Sequence, residues 1–136
     1  MWDDVDELCT NDPESSLAEH FIGAVVTAPA HSVPEGVTKY LLIDGQQRLT
    51  TLFLFLAALR DRAKIAGDEK LAARIQQLYL TNSFQEESDR YKLLPTQGND
   101  GLGDRSAYIA IVDGKIDGIR SGIGNAYHHF HQKLRY

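Results

Sequence analysis

The apolar positions of this chain fall into dense runs separated by short polar, glycine- and proline-bearing stretches. Residues 20–27, "HFIGAVVT", and residues 38–43, "TKYLLI", are rich in β-branched and aromatic side chains, and the intervening "APAHSVPEGV" holds two prolines and a glycine. Two such runs around such a loop predict an antiparallel hairpin. Residues 49–63 carry the longest helical pattern. Its middle, "LTTLFLFLAALR", is apolar nearly all round, which predicts a helix buried on most sides. Arg60, Asp61, Arg62 and Lys64 form its polar end, with cations where the helix dipole favours them, and Gly67 is the expected stop. Residues 68–80 predict a second helix with Leu71, Ile75 and Leu78 as its stripe and Asp68 and Glu69 at its N-terminus. A short strand is expected at 91–94, stopped by Pro95. Further on, a helix over 105–112 ends at Asp113-Gly114. A last helix spans 121–134, with Ser121 as N-cap and Ile123, Tyr127, Phe130 and Leu134 on its inner face. Near the start, Trp2, Val5 and Leu8 stand three apart and predict a short helix over 2–8, broken at Asn11-Asp12-Pro13. The sum is an α+β fold, helix-rich, with a small antiparallel sheet.

Composition narrows the class. A chain of 136 residues is expected to form a single domain, 1–136, and its 43% hydrophobic and 24% charged residues are ordinary for a soluble protein. A net charge of −5 argues against a dedicated nucleic-acid domain, which carries a basic balance, and leaves a local basic patch open. Cys9 is the single cysteine, so a disulfide framework and a cysteine zinc cluster are excluded, and a cytoplasmic location fits best. No apolar stretch reaches the roughly 18 residues of a spanning helix, so no membrane partner is expected.

The stretch "LLIDGQQRLTT", residues 41–51, interrupts this pattern in an unusual way. A strand that ends in Asp44-Gly45 and turns at once into a helix leaves the first helical amides without intrahelical partners. The helix dipole adds roughly half a positive charge at that point. Gly45 permits close approach of a ligand, and Arg48 offers a planar fork of donors suited to phosphate. Gln46 and Gln47 donate and accept, and Thr50 and Thr51 add hydroxyls within a turn. Together these are the parts of a phosphate site, with Asp44 placed to hold a magnesium ion through oxygen. The competing reading is a ligand-free turn in which Gly45 serves only the backbone and Arg48 only pairs with Asp44 or another acid.

Other candidates carry less. His128 and His131 in "HHFH" lie three apart on a helix, but no further ligands with distinctive spacing accompany them; His20 and His31 have less support still. Cys9 lacks the surroundings of a nucleophile. The pairs Asp3-Asp4, Asp6-Glu7 and Glu86-Glu87 read as solvated faces. Gly98, Gly101 and Gly103 lack a following Lys-Ser/Thr, and Asn99, Asp100 and Asp104 disfavour an anion there. Arg60, Arg62, Lys64, Lys70 and Arg74 suit a DNA backbone and suit a solvated helix face equally well.

The string "YLLIDGQQRLTTLFLFLAALRD" closely resembles the DGQQR motif of the GmrSD-type N-terminal domain, found in modification-dependent restriction and phage-defence proteins. "HFIGAVV" at 20–26, "RYKLLPTQGNDGLGDRSAYIAIVDG" at 90–114 and "SGIGNAYHHFHQKL" at 121–134 resemble later and earlier segments of the same family, so the likeness covers nearly the whole chain. It implies a ParB/sulfiredoxin-like fold in which a Gly-x-x-Arg at a helix start, here Gly45 and Arg48, grips nucleotide phosphates. It further implies binding and hydrolysis of an NTP (GTP, ATP or CTP), with Mg²⁺ as a possible companion. Asp44, Gln46, Gln47 and Arg48 would be catalytic, and Gly45, Arg48, Thr50 and Thr51 would bind the nucleotide. The implied partners are modified DNA, through the full-length protein, and an HNH-type nuclease domain or subunit. The family usually carries an upstream strand with a Gln-Arg pair, absent before Met1-Trp2, so the chain reads as a truncated N-terminal domain lacking its first strand. The alternatives are a ParB-like DNA-binding module, in which the motif is structural, and an inactive interaction fragment.

Overall fold

Gly45 ends a strand and begins the helix around which the other elements gather. The computed structural model describes residues 21–30, 36–95, 104–117, 119 and 122–134. Two strands, β1 (Val26–Pro29) and β2 (Tyr40–Asp44), pair antiparallel from Val26↔Asp44 to Pro29↔Tyr40, with an irregularity between Val26 and Thr27. Four helices follow, α1 (Gln46–Ile65), α2 (Glu69–Ile75), α3 (Asp104–Val112) and α4 (Gly122–Lys133). A π turn, Gln76–Leu80, continues α2, and a 3-10 turn spans Glu87–Arg90. The architecture is α+β and helix-rich with a small two-stranded antiparallel sheet. Among the described residues no helix is long and apolar enough to cross a membrane.

The hairpin forms as the pattern predicts, shifted along the chain. The first strand was expected over residues 20–27 and the second over 38–43. The ladder instead runs through Pro29 and Asp44, because Pro29 sits at the strand end, where its missing N–H costs no ladder bond. Ala30 N–H donates to Lys39 O at 3.0 Å and closes the pairing beyond it.

The long helix begins at Gln46, three residues before the apolar run, since Gly45 takes a left-handed conformation (φ 91°) that ends the strand in one step. From 48 to 63 no residue is fully exposed, as an all-round apolar pattern requires. The helix stops in a Schellman motif: Asp68 N–H reaches Ala63 O at 2.9 Å, Gly67 N–H reaches Lys64 O at 3.0 Å, and Gly67 holds φ +82°. Asp68 then caps α2 by accepting from Leu71 N–H at 2.9 Å.

The core joins Leu54, Ala57 and Ala58 of α1 to Ile75 and Leu80, to Tyr108, Ile111 and Val112 of α3, and to Tyr127 and Phe130 of α4. Phe55 and Phe130 meet edge to face, centroids 5.6 Å apart. The expected inner face of α4 holds: Tyr127 and Phe130 are buried, and Ile123 and Leu134 pack against the cluster. Gly124 lies where α4 passes Ile119 so closely that a Cβ would stand 2.9 Å from its carbonyl oxygen.

Two expectations fail. The stripe Leu71, Ile75, Leu78 assumed one regular helix, but Leu71 and Leu78 are exposed, and Ala72, Ile75 and Leu80 face the core. The π turn inserts extra residues per turn and rotates the following side chains out of α-helical phase. The strand at 91–94 reduces to a single bridge, Thr81↔Tyr91, with Asn82 N–H to Arg90 O at 2.6 Å and Lys92 N–H to Leu80 O at 3.2 Å. Pro95 follows too soon for a ladder to extend. The expected helix over 2–8 and Ser121, the expected cap of the last helix, lie outside the described residues.

Candidate functional site

At the start of α1 the expected parts are present in the expected order. The first intrahelical bond runs from Leu49 N–H to Gly45 O at 3.0 Å, so the amides of Gln46, Gln47 and Arg48 precede the hydrogen-bonded ladder. Among the described residues no side chain caps this end, and the first turn holds no acid. Asp44 Oδ1 accepts from Gly45 N–H at 2.8 Å, and Gln46 Nε2 donates back to Leu42 O at 2.8 Å. Gly45 itself is buried against Val25, whose Cγ2 would lie 3.2 Å from an added Cβ.

Arg48 is held at the surface. Its Nη2 stands 3.6 Å from Asp44 Oδ2, its Nη1 donates to Ile22 O at 3.3 Å, and it remains 40% exposed. The guanidinium lies across Gly23, where a Cβ would overlap it. Such a long, exposed ion pair is worth about 0–1 kcal/mol, so the guanidinium can exchange its partner for an anion at little cost.

The seven expected site residues divide between two faces of α1. Gln46, Gln47, Thr50 and Thr51 line a cavity of about 630 Å³. Arg48 points roughly 130° away around the helix axis from the centre of that face, from the 3.6-residue turn, and Asp44 stays with it through the ion pair. The cavity is closed by Leu41 and Leu42 of β2, by the segment Leu93 to Pro95, and by Gly122, Ile123 and Ala126 of α4. Thr51 Oγ1 donates to Gln47 O at 2.7 Å, a bond internal to the helix. Lys92, at the rim, donates to Leu78 O at 2.8 Å.

Sequence reasoning missed the most heavily bonded side chain, Arg60. It was expected at the polar end of the helix; it is 1% exposed. Nε and Nη2 grip Asp61 Oδ1 and Oδ2 at 2.9 and 3.0 Å, Nη1 donates to Gln76 Oε1 and Val112 O, and Nη2 donates to Ile111 O at 2.9 Å. Tyr127 Oη donates to Asp61 Oδ2 at 2.8 Å. The cluster therefore ties α1 to the π turn, the end of α3 and α4. Burial raises the Tyr127 phenol well above its usual range, with its bond to Asp61 adding to the effect. Close by, Tyr91 Oη donates to Asp113 Oδ2 at 2.9 Å and Arg90 stands 3.3 Å from Asp113 Oδ1. Burial, then the bond to Asp113, also raises Tyr91. Arg60 opens the polar end of the run, so charge alone pointed outward and the sequence carried no signal of its burial.

The remaining candidates stay apart. His128 and His129 are exposed on α4, and the His131 ring stacks on Tyr127 at 5.8 Å. Among the described residues no group of three or more histidines, cysteines or acids stands together as a metal site. Lys64, Lys70 and Arg74 are exposed, unlike Arg60. Cys9, His20, His31, the acids at 3–7 and the glycines at 98–103 lie outside the described residues.

Comparison with known proteins adds one finding. A family model described as the GmrSD restriction endonuclease, N-terminal domain, matches residues 1–127. No curated protein and no solved structure matches the chain.

Proposed function

We propose that this protein, which belongs to the GmrSD restriction endonuclease N-terminal domain family, binds a nucleoside triphosphate with its phosphates at the start of α1. The family is one of restriction, and so of defence, proteins. The observation that carries the nucleotide reading is the uncapped start of α1 behind Gly45, with a half-exposed arginine beside it. Three outward amides, the helix dipole and one exchangeable guanidinium supply what a phosphate needs. Asp44 opposes an anion at this end, but its carboxylate is open to solvent and keeps lone pairs free. It fits a magnesium ion that would also take phosphate oxygens, as such ions commonly rely on one or two carboxylates. A bound magnesium would neutralise phosphate charge.

The resemblance of the DGQQR string also carries the ParB/sulfiredoxin-like reading of the fold and the role: nucleotide turnover linked to restriction of modified DNA, through an HNH-type nuclease domain or subunit. Titration of GTP, ATP and CTP against wild type and Arg48→Ala tests the site. Loss of roughly tenfold or more in affinity is expected for Arg48→Ala, the scale of one charge-assisted contact. Equal affinities for the two proteins sink the proposal.

A further inference from the structure

The cavity on the other face of α1 has no part in holding phosphate, and its chemistry differs from that of the helix start. Its walls are apolar: Leu54 from α1, Leu93 and Pro95 from the segment before α3, Ile123 and Ala126 from α4. Its polar side chains are Gln46, Gln47, Thr50 and Thr51 on the α1 side, with Tyr40 of β2 and Lys92 of the segment before α3 also lining it. Tyr40, largely exposed, stands at the cavity with its ring free of the core. A volume near 630 Å³ suits a small organic ligand. A flat heterocycle has this pattern of needs, with apolar faces and a hydrogen-bonding edge. A purely apolar ligand would offer nothing to the Gln47 amide, the Gln46 amide oxygen or the Thr50 hydroxyl, whereas Thr51 Oγ1 is already bonded to Gln47 O. Gln46 Nε2 is already committed to Leu42 O, so Gln46 presents its amide oxygen as an acceptor.

We infer that this cavity is the seat of the nucleotide's base, between α1 and α4, with Gln46 and Gln47 meeting its edge. Those two residues belong both to the first turn of α1 and to the cavity wall. One ligand can therefore lay its phosphates on the helix start and its base in the cavity. The inference rests on the nucleotide reading above and adds a place for the base.

The test separates the two. Gly122→Phe puts a ring beside the cavity from the first turn of α4, where an added Cβ meets nothing within 4 Å. Leu41→Trp fills it from the β2 side, where Leu41 is largely exposed, should the first variant melt early. GTP, guanosine and inorganic tripolyphosphate are titrated against wild type, both fillers and Arg48→Ala. The expected result is a loss of roughly tenfold or more in GTP and guanosine affinity for the fillers, the scale of one lost base stack. Tripolyphosphate affinity should stay within about twofold in the fillers and fall only in Arg48→Ala. Unchanged GTP affinity in both folded fillers overturns the base site and leaves the phosphate site standing. Loss of GTP and guanosine in the fillers without any tripolyphosphate binding keeps the base site and removes the phosphate site. Failure of wild type to bind GTP, ATP or CTP, or any of their nucleosides, overturns both.

Discussion

Two arginines stand about three turns apart on α1, and the fold treats them in opposite ways. Arg60 is sealed in the core and bonded through Nε, Nη1 and Nη2 to a carboxylate, an amide oxygen and two main-chain carbonyls. Arg48 lies at the surface with one long ion pair and one 3.3 Å bond to a carbonyl. An arginine saturated by fixed acceptors holds elements together and has nothing left to offer a ligand. An arginine with weak, replaceable partners contributes little to the fold and keeps its charge available. The strength and number of competing acceptors thus separate an arginine committed to the fold from one left open to a ligand.

The largest expected effect follows from the saturated site. Arg60→Ala removes the cation from the buried Asp61 carboxylate, which keeps Tyr127 as a donor, and takes one donor each from Gln76 Oε1 and the carbonyls of Ile111 and Val112, and should cost about 3–5 kcal/mol. Chemical denaturation is the measurement, and a loss below about 1 kcal/mol would show that the cluster is not what joins α1 to α3 and the π turn.

Gly23→Ala sharpens the comparison from the other end. Gly23 holds φ +98°, and an added methyl would displace the Arg48 guanidinium. Strain at that backbone should cost about 1–2 kcal/mol. The same variant should weaken nucleotide binding, since Arg48 loses its seat beside the helix start. A variant that melts like wild type and binds like wild type would mean that Arg48 does not need this cradle. Arg48→Ala, by contrast, should shift stability by less than about 1 kcal/mol while removing affinity. If it unfolds the protein instead, the contrast between the two arginines disappears.

Much of this was legible in the sequence. The hairpin, the long helix, its Gly67 stop and the inner face of α4 follow from hydrophobic spacing and from glycine, because local rules and tertiary packing agree there. Asp44, Gly45, Gln46, Gln47, Arg48, Thr50 and Thr51 were readable as one stretch. Their division between two faces was not, because it depends on what packs against α1: the Gly23 side against Arg48, and α4 with the 92–95 segment against the glutamines and threonines. Arg60 was illegible for a related reason. Charge predicts exposure unless acceptors are known, and its acceptors come from residues 61, 76, 111 and 112, most of them distant in sequence. Leu78 left the expected stripe because nothing in "RIQQLYL" marks a π turn, and Leu71, ahead of that turn, is exposed because Ala72 takes the core position beside it.

The smallest expected effects belong to two buried tyrosines that separate satisfied from unsatisfied burial. Tyr127 gives its hydroxyl proton to Asp61, and so supports the carboxylate that grips Arg60. Tyr108 is equally buried, and its hydroxyl has no hydrogen-bond partner among the described residues. Burial raises its pKa far above the usual phenol range, and the hydroxyl's desolvation goes uncompensated among the described residues. Tyr127→Phe should therefore destabilise by about 1.5 kcal/mol, the low end for a bond with a charged acceptor, because Arg60 still holds both Asp61 oxygens. Tyr108→Phe should be neutral or stabilise by up to about 1 kcal/mol, because it removes only a desolvated hydroxyl. The two variants remove the same atom from the same kind of residue, so the difference between their denaturation midpoints measures partnering alone. Equal losses would mean that Tyr108 also has a partner in the folded chain. A loss for Tyr108 alone would reverse the assignment and move the polar centre of the core from α4 to α3.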